Sequence, residues 1–476
     1  MIKEVNLTKK DIFFIALAFG ILVLFYFLPT PEGLYFSGKI MIGLLIMAAI
    51  LWITEPIPLA VTGLLVMIMQ PLLGINNATT VFSSFGNQAI FFLIGAFIIA
   101  AAIEKHGLHR RIALKFLSFF EKTPRLFTLG IMLTCAMLSF IMPEHGVAAL
   151  FLPIIVSILI AMKIVKRKSN FGKISMLSIA YGCSIGSLGT LIGGARNPLA
   201  IGILADLENP ITVSFFDWMI YAIPVVLISL PLVWLVLQFS FPIEIKDISL
   251  AKKEIHRQVA IQGKISKTEL KVLAILALTI ILWITFSGST YYGLGVIAIL
   301  GTILLFLTGC IKWEDIEKRV PWGIILLYGG AITLGLGMQG TNVAGGTGAG
   351  EWIANGIFNI AGNDPIIVIF AMIIFTVILT NIMSNVAAVA ILIPIGISIA
   401  TKIGINPLLS AMIIALSGGL AFMFIISTPG NAITYSSGYY SSRDLLKAGV
   451  LANILCIAVV FTIAIVYWMG VLQLHI

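Results

Sequence analysis

Two short polar stretches, 241 residues apart, hold the residues best suited to chemistry. The first runs Leu138-Ser139-Phe140-Ile141-Met142-Pro143-Glu144-His145-Gly146-Val147-Ala148-Ala149, with Pro153 beyond it. The second runs Leu379-Thr380-Asn381-Ile382-Met383-Ser384-Asn385-Val386-Ala387-Ala388, with Pro394 beyond it. Each lies between two apolar arms, so each reads as the tip of a hairpin, about 126–162 and about 365–402. Polar, non-helical backbone is tolerated at membrane depth only when it is buried in protein or lines a water-filled cavity. Two more breaks interrupt long apolar runs: Gly193-Gly194-Ala195-Arg196-Asn197-Pro198 within 174–204, and Ser427-Thr428-Pro429-Gly430-Asn431 within 406–437. The elements 143–146, 193–198, 384–386 and 427–431 are expected to converge near the bilayer midplane. Matched interruptions of this kind in two halves of a chain point to a transporter's substrate site.

The chemistry follows from residue type. At a hairpin tip the second arm starts a helix, whose free N–H groups and positive dipole end favour an anion. Unwound carbonyls in the breaks suit a cation. Asn385 and Asn431 carry both donors and acceptors, and Ser384, Ser427, Thr428 and Thr190 add hydroxyls. Pro429 and Pro198 remove backbone N–H groups and hold the breaks open. The expected substrate contacts are Glu144, His145, Gly146, Arg196, Asn197, Ser384, Asn385, Thr428, Pro429 and Asn431. Arg196 costs several kcal/mol at that depth unless paired or hydrated. It reads as a fixed positive charge for an anionic substrate, as a substitute for a bound cation, or as half of a salt bridge at the break. His145 is a candidate donor or titrating group. Glu144 is a candidate partner of Arg196 or His145, or a proton carrier; the alternative is that Glu144 and His145 pair structurally to close the tip. Glu55, in Trp52-Ile53-Thr54-Glu55-Pro56-Ile57-Pro58, falls between spans and reads as a structural cap.

The elements that must position these residues are legible from composition. Hydrophobic residues make up 60% of the chain and charged residues 10%. A soluble domain carries nearer a quarter. The chain therefore reads as an all-α polytopic membrane protein, of about 11 spans plus the two re-entrant hairpins. Candidate spans are 11–29, 38–53, 57–73, 88–104, 174–204, 218–241, 268–286, 292–310, 322–339, 406–437 and 447–471. The first reads as a retained helix, since no small-residue cleavage site follows it. Cys135, Cys183, Cys310 and Cys456 lie in apolar stretches without metal-ligand spacing. The net charge of +9 does not indicate nucleic acid. Its basic residues concentrate in 3–10, 105–125, 163–173, 246–271, 312–319 and 443–447, whereas 74–87, 205–217, 287–291 and 339–365 have no Lys or Arg. Threading the spans puts all the basic segments on one side, the cytoplasmic one. The N-terminus is then inside, the C-terminus outside, and the hairpins enter from opposite faces.

Ile50-Leu51-Trp52-Ile53-Thr54 recurs as Ile281-Leu282-Trp283-Ile284-Thr285, an offset of 231; Pro153 and Pro394 are offset by 241, and Asn197 and Asn431 by 234. Residues 38–241 and 268–476 are therefore expected to be two inverted repeats, after an N-terminal segment 1–37 and joined by a cytoplasmic linker 242–267. The run Gly345-Gly346-Thr347-Gly348-Ala349-Gly350 lacks a following Lys-Ser or Lys-Thr and reads as a flexible outer loop, not a nucleotide site.

At these residues the chain resembles the divalent anion/sodium symporter family, carriers of dicarboxylates, citrate or sulfate. Trp52-Ile53-Thr54-Glu55-Pro56-Ile57-Pro58-Leu59-Ala60 is similar to its early signature, and Gly107-Leu108-His109-Arg110-Arg111-Ile112-Ala113 resembles its cytoplasmic helix. Ser384-Asn385-Val386 stands where the family carries Ser-Asn-Thr, and Ser427-Thr428-Pro429-Gly430-Asn431-Ala432 resembles its second break. The resemblance implies a homodimer, an elevator motion of a transport subdomain against a scaffold, substrate contacts at Asn385 and Thr428–Pro429, and a sodium site near Thr380, Met383, Asn385 and Ser427. The first half departs from the pattern: Pro143-Glu144-His145 replaces Ser-Asn-Thr, and Arg196 stands in a break that is usually Gly-Thr-Pro-Pro-Asn.

The resulting expectation is a plasma-membrane secondary carrier of a small divalent anion, a dicarboxylate foremost, coupled to sodium and without a tightly bound cofactor. The alternatives are sodium-independent exchange or proton coupling, carriage of sulfate or another oxyanion, and an anion channel on the same scaffold. An enzyme would need a catalytic pair, for which only Glu144 and His145 are available.

Overall fold

The computed structural model describes residues 7–289, 291–361 and 364–474. Lys3 of the first basic segment and both chain ends lie outside these residues. All regular structure among the described residues is helical. The first half contains α1 Lys9–Phe27, α2 Phe36–Thr54, α3 Leu59–Leu72, α4 Ala78–Ser83, α5 Gln88–Lys105 and α6 Leu108–Leu117. A helix pair follows, α7 Pro124–Leu138 and α8 Glu144–Ala161, then an interrupted helix, α9 Asn170–Gly186 and α10 Arg196–Ala205, then α11 Phe215–Ser240. The connector is α12 Ser249–Gln262. The second half runs α13 Lys267–Phe286, α14 Gly293–Leu307, α15 Trp313–Arg319, α16 Trp322–Met338 and α17 Ala349–Ala361. A second pair, α18 Pro365–Ile382 and α19 Asn385–Lys402, precedes a second interrupted helix, α20 Pro407–Ser417 and α21 Pro429–Tyr435, and α22 Ser442–Thr462. Nine of the described helices are long and apolar enough to cross a membrane.

Local signals set many of these boundaries. Thr8 with Asp11, Ser214 with Asp217, Ser266 with Glu269 and Ser441 with Asp444 form capping boxes that start α1, α11, α13 and α22. Pro124, Pro365, Pro407 and Pro429 occupy first-turn positions, where a missing N–H costs nothing. Small residues bring the helices together. A Cβ on Gly330 would lie 2.3 Å from the Gly63 carbonyl, so α16 and α3 touch backbone to backbone. A Cβ on Gly186 would lie 2.3 Å from Ala136 Cα, which clamps α9 onto α7. In lipid such close contact replaces the hydrophobic drive that assembles soluble helices. Phe27, Leu72, Phe239 and Leu307 point outward, as a lipid-facing belt requires.

The Gly345–Gly350 run is a loop as far as Gly348, and its end is the start of α17. Thr347 N–H donates to the Gly337 carbonyl and Gly348 N–H to the Gln339 carbonyl, and the chain then enters α17. Gly350 is needed there, since a Cβ would lie 2.6 Å from the Met338 carbonyl. The connector is also tied down. Ser157 Oγ of α8 donates to Glu254 at 2.7 Å. Hydrogen bonds from Arg257 first, then Gln258 and Ser157, hold the Glu254 carboxyl at about 2.

Candidate functional site

The two tips and the two breaks meet around one cavity of about 530 Å³. Its wall includes Pro143, Glu144 and His145, then Gly193 to Arg196, then Ser384, Asn385 and Val386, then Ser427, Thr428 and Pro429. Glu55 at the end of α2 and Pro58, Leu59 and Ala60 leading into α3 add to the wall, with Pro321, Gly323, Ile324 and Leu327 around α16. Each tip or break contributes the start of a helix. No side chain caps α8 or α19. At the start of α8 the Gly193 and Pro143 carbonyls take the N–H groups of Glu144, Gly146 and Val147, whereas the first N–H groups of α19 remain for a ligand.

Each tip is laced to its own break. In the first half Glu144 N–H donates to the Gly193 carbonyl at 3.1 Å, and Thr190 Oγ1 donates to the Phe140 carbonyl at 2.8 Å. In the second, Thr380 Oγ1 donates to the Gly418 carbonyl at 2.6 Å or to Asn385 Oδ1 at 2.8 Å. Asn381 Nδ2 donates to the Leu420 carbonyl and its Oδ1 accepts from Met423 N–H. The interrupted helices would otherwise leave carbonyls orphaned, a heavy cost away from water.

Asn197 and Asn431, expected at the substrate, are fully buried and do not line the cavity. Asn197 Nδ2 instead donates to the Ser187 and Thr190 carbonyls, and Asn431 Nδ2 to the Ala421 and Phe424 carbonyls. They hold the breaks in shape, and the Oδ1 atom of each has no partner among the described residues. Gly146 lines an adjoining cavity of about 410 Å³, which shares Phe97, Pro143, His145 and Pro321 with the first. Met383 and Thr380 are buried and lie off the cavity wall. Ser427 Oγ donates to the Phe424 carbonyl at 2.7 Å and accepts from Asn431 Nδ2 at 3.1 Å. The structure therefore brings Thr380 together with Asn385, and Ser427 together with Asn431.

Arg196 is the site's buried cation, with 1% of its side chain exposed. Its Nε donates to the Ala415 carbonyl at 3.2 Å and its Nη2 to Ser187 Oγ at 2.8 Å. Gly194 and Gly419 make room for the guanidinium, since a Cβ at either would collide with it. Glu144 Oε1 stands 3.8 Å from Nη1, an ion-pair distance too long for a hydrogen bond. Glu144 is not paired with His145; Ser187 Oγ lies 2.7 Å from its Oε2. Asn385 Nδ2 is a buried donor with no described partner, on a residue that lines the cavity.

Two residues have a part at the site that the sequence reading did not give them. Glu55 does terminate α2, with a left-handed φ of 46° and its N–H on the Leu51 carbonyl, but its residue also lines the cavity. Ser187 was not singled out, although Ser184-Ile185-Gly186-Ser187-Leu188-Gly189-Thr190 is rich in small and polar residues just before the break. The adjoining cavity adds the Arg319–Glu104 ion pair, at 2.8 Å, and His109. Burial pushes the His109 imidazole down to about 4, against the Ile103 carbonyl, with the Arg110 and Arg319 charges adding to the drop.

The chain aligns with the sodium-dependent dicarboxylate transporter SdcS of Staphylococcus saprophyticus at 29% identity, covering 94% of this chain and 89% of that protein. SdcS of Staphylococcus aureus is 30% identical, over 92% and 87% of the two chains. Among solved structures, MtrF of Neisseria gonorrhoeae, one of a class of antimetabolite efflux pumps, superposes with a TM-score of 0.56 at 13% identity, over 95% of this chain and 94% of its own. The YdaH transporter of Alcanivorax borkumensis gives 0.54 at 13% identity, over 83% and 88%. These two structures speak for the fold. The sodium:sulfate symporter transmembrane region matches residues 9–474, and the chain belongs to that family of membrane transporters.

Proposed function

We infer that the protein is a secondary active carrier of a small divalent anion, a dicarboxylate, with sodium as the coupling ion. The observation that carries the reading is the convergence of two helix-pair tips and two helix breaks on one cavity, with Arg196 and the unpartnered Asn385 amide in its wall. Free N–H groups at the start of α19 add further anion donors. The dicarboxylate and sodium assignments draw support from the SdcS relatives, which are sodium-dependent dicarboxylate transporters. In the second half the neutral oxygens of Thr380, Asn385 and Gly418 supply the ligand chemistry a sodium ion takes.

In this reading residues 38–241 and 268–476 are inverted repeats in a plasma-membrane homodimer, N-terminus inside. The helix pairs re-enter the bilayer from opposite faces. The tips and breaks move as an elevator past a wall formed by the starts of α3 and α16. A second reading, sodium-independent exchange, is favoured by one observation: Arg196 places a tethered positive charge in the first half, where the second half has neutral oxygens.

Reconstituted liposomes test both. Labelled succinate should enter empty vesicles when an inward sodium gradient is applied. Uptake confined to vesicles preloaded with cold succinate and indifferent to sodium would establish the exchange reading. Absence of uptake of succinate and of sulfate under every gradient would end the anion-carrier reading.

A further inference from the structure

The hydrogen-bond arithmetic around Ser187 points to a second ligand of the same site. Ser187 Oγ has three polar neighbours: Glu144 Oε2 at 2.7 Å, the Ser184 carbonyl at 2.7 Å and Arg196 Nη2 at 2.8 Å. A serine hydroxyl offers one proton and two lone pairs. Arginine only donates, so it takes one lone pair. The Ser184 carbonyl only accepts, so it takes the proton. The remaining lone pair faces Glu144. An ionised carboxylate also only accepts, and it would set lone pair against lone pair. A neutral carboxyl donates its own proton there and completes the set. Arg196 does not compensate by gripping the carboxylate, because its Nε is committed to the Ala415 carbonyl and its Nη1 stays 3.8 Å from Oε1.

We propose that Glu144 is a proton-binding site of this carrier, protonated together with anion binding. The proposal rests on the cavity being an anion site. With Glu144 neutral, the Arg196 charge is uncompensated and faces the anion. With Glu144 ionised, the two charges cancel and the cavity loses its attraction. The arrangement seen is that of the protonated carboxyl; at a pH where the empty site holds Glu144 ionised, one proton is taken up from the adjoining water for each anion bound and released with it, and no bond other than that O–H forms or breaks. The charged and titratable groups facing this pair are few. His145 follows Glu144 on α8 and makes no hydrogen bond to a described residue. Tyr328 of α16 lies within electrostatic range of Arg196. Glu55 lines the same cavity. Ser187 of α9, Ala415 of α20 and the tip residues Ser384 and Asn385 are uncharged.

The test is calorimetric titration of succinate into the purified full-length protein. It is run at saturating sodium, over the pH range where succinate stays a dianion, in buffers of different ionisation enthalpy. Affinity should rise as pH falls, by about tenfold per pH unit in the limit of one linked proton. The buffer dependence should report proton uptake on binding. Glu144→Gln, which mimics the neutral carboxyl, should flatten the pH slope and abolish proton uptake, whereas His145→Gln should keep both. Binding by the wild type without proton uptake, or an unchanged slope in Glu144→Gln, overturns the proposal. If Glu144→Gln does not fold, Ser187→Ala decides: removing the acceptor of the neutral carboxyl should displace the pH profile to lower pH, and an unmoved profile overturns the proposal. A wild type that binds neither succinate nor sulfate at any pH fails differently, by removing the anion site on which the proposal stands.

Discussion

Replacing Asn385 by alanine separates ligand binding from folding more cleanly than any other change at the site. The Asn385 amide nitrogen is buried and has no described partner, so its removal takes nothing from the folded chain on that side. On the other side Thr380 loses Oδ1 as an acceptor but keeps the Gly418 carbonyl at 2.6 Å. The stability cost is then at most one ordinary hydrogen bond, about 1 kcal/mol. A hydrogen bond donated to an anionic oxygen is stronger, about 1.5–3 kcal/mol. If the amide donates to a substrate carboxylate, Asn385→Ala should raise the succinate dissociation constant about tenfold to a hundredfold. The assay is succinate titration at fixed sodium, paired with a thermal melt in the same detergent. A variant that melts close to the wild type and binds succinate within about threefold of it would refute the reasoning that the free amide faces substrate.

Thr380→Val keeps the shape and removes the hydroxyl that bonds Gly418 and Asn385. The sodium concentration giving half-maximal uptake should rise, by roughly tenfold if about 1.4 kcal/mol is lost, as sodium titrations of uptake will show. Asn431→Ala strips the donors from the buried Ala421 and Phe424 carbonyls. It should destabilise the fold by about 2–4 kcal/mol, visible as a lower melting temperature before any transport is measured. His109 adds a pH-dependent term. Its imidazole protonates near 6.5 in an unfolded chain and at about 4 in the folded one. Between those values the unfolded chain holds the extra proton. The stability is intact above the upper value and declines as pH falls towards the lower, by about 3 kcal/mol at most. His109→Gln should lack that component, as the difference between pH-dependent melting profiles will report.

Much of this protein is written locally. Tips and breaks show themselves because lipid tolerates exposed backbone so poorly. Pro143-Glu144-His145, Ser384-Asn385, the glycines before Arg196 and Ser427-Thr428-Pro429 are all interruptions of apolar runs, and all four line the cavity. Helix starts such as Ser214–Asp217 and Ser441–Asp444 are equally local, since a capping box spans three residues. By contrast α17 was missed, because Gly345–Gly350 carries strong loop signals and the contact with Met338 that orders it lies outside the run.

Roles within the site depended on distant partners. Asn197 and Asn431 look like ligand residues in sequence, yet each spends its amide on carbonyls that the break itself would orphan. Glu144 and His145 are neighbours in sequence, but a helix start projects adjacent side chains in different directions. Glu144 consequently reaches Ser187, while His145 also lines the adjoining cavity. Glu55 reads as a cap, and only the packing of the α2–α3 turn against the site places it on the cavity wall. The sequence by itself determined the membrane class, the breaks and the kinds of residue they expose. Backbone satisfaction in lipid is decided within a few residues of chain. The tertiary structure alone decided that Arg196 reaches the carbonyl of Ala415, 219 residues away, and shares Ser187 with Glu144. Electrostatic partnership is set by distance in space and by the few lone pairs available there.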